Sequence, residues 1–68
     1  MGQAMKALAD HSLVTLLRPL AGGTVPAGAT AVIVHVHTGG GAYEVEVLAP
    51  DGKTIAVETV LHADLQPQ

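Results

Sequence analysis

The chain has 68 residues, a net charge of −3 and no cysteine, which together bound it to one small domain without disulfides or thiolate-bound zinc. Its only cations are Lys6, Arg18 and Lys53, and its only aromatic ring besides histidine is Tyr43. That leaves neither a phosphate-neutralising patch nor a stacking platform, and argues against nucleic-acid binding. Apolar residues reach 49% while charged ones stop at 13%, less than a fully solvated small domain carries, so part of the surface is expected to be covered in a homo-oligomer.

Residues 1–10 read as an N-terminal arm, either disordered or foreign to the native chain, ahead of a single domain at 11–68. They lack the charged and apolar regions of a secretory signal, and Lys6 stands where a myristoylation signal needs Ser or Thr. No apolar run approaches the roughly 18 residues that cross a bilayer. A soluble, cytoplasmic protein with no membrane partner is the expectation.

Ser12–Arg18 is a first strand, stopped by Pro19. Its two sides, Leu13/Thr15/Leu17 and Val14/Leu16/Arg18, are both mostly apolar, which implies cover on both faces. Leu20–Gly28 is a loop by its Gly and Pro content. Ala31–Thr38, Ala42–Leu48 and Lys53–Val60 follow as a three-stranded meander. Leu61–Leu65 forms a single helical turn before a short tail ending at Gln68.

The turns set an expected register. Pro50 and Asp51 suit the central positions of a type I turn and Gly52 the left-handed position after it. This pairs Val47 with Ile55, Val45 with Val57 and Tyr43 with Thr59, and on the other face Glu46 with Ala56 and Glu44 with Glu58. At Gly39–Gly41 an even two-residue connection pairs Val36 with Tyr43, His35 with Glu44 and Val34 with Val45. The expected core is then Val32, Val34, Val36, Tyr43, Val45, Val47, Ile55 and Val57, closed by Leu13 or Leu16 and by Leu65. Ile33 and Leu48 fall outside it. With Val14 and Leu16 on one side of the first strand, they are the expected interface residues.

His35 and His37 share a strand face, as two histidines do in many metal sites, and Glu44 lies across the ladder. A His35/His37/Glu44 site would make a metal- or pH-responsive binding protein, its support being the unfavourable pairing of Glu44 with Glu58. The plainer reading is a solvated face with histidines opposite carboxylates. Asp64 is placed to cap backbone amides or to pair with Arg18. There is no nucleophile elbow and no P-loop lysine, so no catalytic residue and no cofactor is assigned, and the chain reads as non-enzymatic.

Three runs carry a family resemblance: Val25–Val36 (VPAGATAVIVHV), Gly41–Val47 (GAYEVEV) and Asp51–Val57 (DGKTIAV), with the closing Asp64–Pro67 (DLQP). They resemble the bacterial domain-of-unknown-function family 4926, whose pattern has Gly where Ala31 stands and Phe where Val47 stands. The resemblance implies an SH3-like barrel and supplies no catalytic residues. It also implies a small accessory-genome protein with a toxin-like partner, as an antitoxin or immunity protein. The combined expectation is an all-β, five-stranded, strongly bent, partly open SH3-like barrel that serves as a protein–protein interaction module. A nucleic-acid-binding barrel is the alternative that charge disfavours.

Overall fold

The computed structural model describes residues 8–68, so the greater part of the expected arm, residues 1–7, lies outside the described residues. Five strands, β1 (Leu13–Leu16), β2 (Thr30–Val36), β3 (Ala42–Leu48), β4 (Thr54–Leu61) and β5 (Leu65–Pro67), form one antiparallel sheet in the order β4-β3-β2-β1-β5. The sheet is not closed, and β4 and β5 are its two edges. A single 3-10 turn at His62–Asp64 joins β4 to β5, as the helical turn expected there.

β5 occupies what read as a tail. Three residues ending in Pro67 are too short for a periodic signal, yet Leu65 pairs with Leu16, Gln66 with Thr15 and Pro67 with Val14. Proline is tolerated because this is an edge strand, where its missing amide proton faces outward. Gln68 anchors the end, its side-chain amide donating to Val14 O, Thr15 Oγ1 and Thr30 Oγ1.

Both hairpin turns have the expected local chemistry. Ala49 N donates to Lys53 O at 2.8 Å and Gly52 takes φ +89°, so Pro50-Asp51-Gly52 is the three-residue loop its sequence demands. At the other hairpin His37 N donates to Ala42 O, so the connection spans Thr38–Gly41 and is longer than two residues. Gly39 and Gly40 supply the positive φ angles it needs, and its even length preserves the pairs Val36–Tyr43 and His35–Glu44.

Beyond each turn the register slips by one residue. In β2 the pairing passes from His35–Glu44 to Ile33–Val45, leaving Val34 as an extra residue. In β4 it passes from Leu48–Thr54 to Val47–Ala56, leaving Ile55 extra. Each is a β-bulge, which bends its strand and turns every later side chain to the opposite face. The face assignment of the alternation is therefore corrected on both outer strands of the meander. Ala31 and Ile33 face inward in place of Val32 and Val34. Ala56, Glu58 and Val60 line the inner side of β4 in place of Ile55 and Val57, and Glu44 pairs with Thr59 in place of Glu58.

The core consists of Val14, Leu16, Val25, Ala31, Ile33, Tyr43, Val45, Val47, Val60 and Leu65. Val36 packs half-buried against it, whereas Leu13, Val34, Ile55 and Val57 are exposed. β1 is covered on one side only, with Val14 and Leu16 buried and Leu13 and Leu17 in solvent. Val25 reaches the core because Leu20 and Val25 bridge, which folds the loop back over the sheet.

Tyr43, the largest fully buried side chain, ties the ends of the domain together. Its hydroxyl accepts from Leu8 N at 3.0 Å and stands 2.7 Å from His62 Nδ1. The second hydrogen bond joins the hydroxyl to Nδ1, and the His62 tautomer sets which of the two donates. Tyr43→Phe leaves two polar groups short of a partner and is expected to cost about 1–2 kcal/mol. Thermal denaturation by circular dichroism checks this, as a melting-temperature drop of about 4–8 °C per kcal/mol in a domain of this size.

Candidate functional site

The outer face of the sheet carries two kinds of surface. One is polar. β2 and β3 set His35 opposite Glu44, and His37, two residues on, shares that side of the strand. Glu44 Oε2 lies 2.9 Å from His37 Nε2 and accepts a hydrogen bond from Thr59 Oγ1 on β4. The imidazoles of His35 and His37 meet edge to face, with centroids 5.3 Å apart. The hydrogen bond from Thr59, then that with His37, hold the Glu44 carboxyl below its ordinary range; partial desolvation opposes them.

This row brings together the three residues singled out as weak metal candidates, His35, His37 and Glu44, but does not build a metal centre from them. Among the described residues no group of three or more His, Asp or Glu side chains is placed to hold an ion. The reason lies in the slipped register. Glu58 is turned to the other side of β4, so the like-charge pair that would have called for a cation is not formed. Thr59 takes its place and donates to the carboxylate.

The other surface is apolar. A groove of about 690 Å³ opens between the Pro26–Thr30 segment and the Leu48–Gly52 turn. Leu13, Pro26, Ala29, Leu48, Pro50 and Ile55 are among the residues that line it. Beyond it, Val57 and Leu61 continue along β4, 58% and 59% exposed. Of the expected interface residues Ile33, Leu48, Val14 and Leu16, only Leu48 reaches this face. Ile33 and Val14 are fully buried and Leu16 is 1% exposed, all inside the chain's own core, so they offer no contact surface. Their place is taken by Leu13, Ile55, Val57 and Leu61. The alternation hid Ile55 and Val57 because the β4 bulge inverts it, Leu61 read as part of the helical turn, and Leu13 lies on the unbulged β1.

Near the C-terminal turn, Arg18 Nε lies 3.3 Å from Asp64 Oδ1, the ion pair expected there. No side-chain cap is made by that turn's flanking residue, and Asp64 serves as Arg18's partner instead. Arg18 is largely in solvent, so the bridge adds little to stability.

A family model described as a domain of unknown function, DUF4926, matches residues 10–67. The chain belongs to the DUF4926 family. No curated protein and no solved structure matches it. The description of DUF4926 names no function, so any site rests on this chain's own geometry. None of its described helices is long and apolar enough to cross a membrane.

Because the Glu44 carboxyl is held low in the folded state, its contribution to stability is present above its ordinary range and is lost as pH falls through the depressed value. Glu44→Gln is therefore expected to melt below wild type at pH 7, by a margin that narrows as the pH is lowered to 3. Melting curves at the two pH values check the difference.

Proposed function

We propose that this chain is a small, non-enzymatic protein-binding module whose contact surface is the apolar part of the outer sheet face. One observation carries the reading. The β4 strand presents Ile55, Val57 and Leu61 to solvent at 53%, 58% and 59% exposure, and turns Ala56, Glu58 and Val60 inward. An unbulged register would have placed Ile55 and Val57 inside. Each such side chain gains about 1.5–3 kcal/mol when fully withdrawn from water, a gain this fold leaves unrealised until a partner covers them. Local pattern and global fold disagree here, as they do at functional surfaces.

The groove beside Leu13 and Leu48 extends that surface, and the low charge of the chain agrees with a face that is covered in use. The family resemblance favours a toxin-like protein as the partner, with this chain as its antitoxin or immunity component. The His35–Glu44 row belongs to the stability of the meander in this reading.

Capture from native-host lysate on the immobilised chain, followed by mass spectrometry, tests the proposal. A partner held by wild type should be reduced at least tenfold by Leu13→Asp or Leu48→Asp and retained by His35→Ala, all three checked for native circular dichroism. Capture that ignores both groove substitutions, or no capture at all, would overturn it.

A further inference from the structure

The two edges of the sheet are unlike. β5 is three residues long and ends in Pro67, a short and guarded edge. β4 runs eight residues without Pro or Lys and has no strand beside it among the described residues. Its open backbone groups can be assigned. His62 N donates to Gly41 O, so Gly41 and His62 form a hydrogen-bonded pair. Counting back along the antiparallel ladder makes Tyr43–Val60 and Val45–Glu58 hydrogen-bonded pairs as well. The amides and carbonyls of Val57, Thr59 and Leu61 therefore point away from β3 toward the open edge. Apart from the Leu61 carbonyl, which accepts the first bond of the His62–Asp64 turn, none of them has a backbone partner outside the ladders among the described residues.

We infer that this edge pairs with the β4 edge of a second copy, antiparallel about a two-fold axis at Thr59, to make one continuous sheet. This deepens the proposed function and rests on it. The occupant is a second copy because the edge is self-complementary in one register. With Thr59 opposite Thr59 of the partner copy, Val57 falls opposite Leu61 and Leu61 opposite Val57. That register sets each Thr59 amide on the other copy's Thr59 carbonyl and each Leu61 amide on the other copy's Val57 carbonyl. It also joins the exposed apolar side chains on one face, an arrangement that stabilises antiparallel pairs.

The neighbouring registers are worse. Shifting one way sets Glu58 against Glu58, a like-charge contact. A second step the same way centres the pair on Val57 and runs it into the bulge at Ile55, where the ladder is broken. The opposite shift centres it on Val60 and sets Val57 against Ala63, which lies in the 3-10 turn beyond the strand. The bulge thus selects the register as well as turning Val57 and Leu61 outward. A strand of this length is about 26 Å, so the contact is at the small end for a stable interface and the dimer should be concentration-dependent.

Sedimentation velocity from 1 to about 500 µM should show the average mass rising toward two chains. Lysine guards sheet edges against pairing, so Leu61→Lys should raise the dissociation constant at least tenfold while leaving the fold intact. The absence of cysteine permits a direct register test. Residues in a hydrogen-bonded pair have Cα atoms about 5.5 Å apart, within disulfide reach. Thr59→Cys should cross-link on mild oxidation. Lys53→Cys should not, since its two copies would lie about 40 Å apart. A wild type that stays monomeric throughout, or Lys53→Cys linking as readily as Thr59→Cys, would overturn the pairing. A monomer that still captures a partner through Leu13 and Leu48 would overturn the pairing alone. A Thr59 cross-link without such capture would leave the pairing standing and sink the external partner.

Discussion

Two supernumerary residues, Val34 and Ile55, decide which side of the sheet their neighbours occupy. Each sits one or two pairs beyond a hairpin turn whose own geometry is regular, and each leaves one backbone unit out of the ladder. In return the strands bend enough for a domain of this size to enclose Tyr43, Ile33 and the β3 valines. Every later property follows from that exchange. The inward turn of Ile33 completes the core, and the outward turn of Ile55 and Val57 creates the apolar surface. The replacement of Glu58 by Thr59 opposite Glu44 turns a strained acidic pair into a hydrogen-bonded row.

The two bulges have unequal consequences. At Val34 the slip exchanges one β-branched residue for another, and the interior gains the larger Ile33. At Ile55 the slip works against hydrophobicity, since the inner side of β4 receives Ala56 and Glu58 while Ile55 and Val57 stay in water. The edge strand consequently gives the core little beyond Val60. A fold that holds its most apolar edge residues in solvent carries a hydrophobic gain that the proposed association would realise.

Turn chemistry was legible in the residues themselves. Pro50-Asp51-Gly52 and the Gly39–Gly41 run located both hairpins, and the pairs Val36–Tyr43 and His35–Glu44 followed from parity. The strands of the meander, the closing helical turn and the buried set Tyr43, Val45, Val47 and Leu65 were equally readable. The bulges were not. TAVIVHV is apolar on both faces, so a slip within it leaves no trace in the alternation, and in β4 the alternation pointed to the wrong side. β5 was too short to register as a strand. The His35–Glu44 pair lies before both slips and was placed correctly, whereas Ile33, expected at an interface, is buried because of the β2 bulge, and Val14 and Leu16 are buried because the unbulged β1 is covered on that side.

The most direct test of this account is the set of close Hα–Hα contacts across β3 and β4 in solution NMR. Such contacts arise at non-hydrogen-bonded pairs, where the Cα atoms come within about 4.5 Å. The bulged register predicts them between Glu44 and Thr59 and between Glu46 and Val57. Contacts of Glu44 with Glu58 or of Glu46 with Ala56 would mean an unslipped ladder, and would contradict the inversion on which the core, the polar row and the proposed surface all depend.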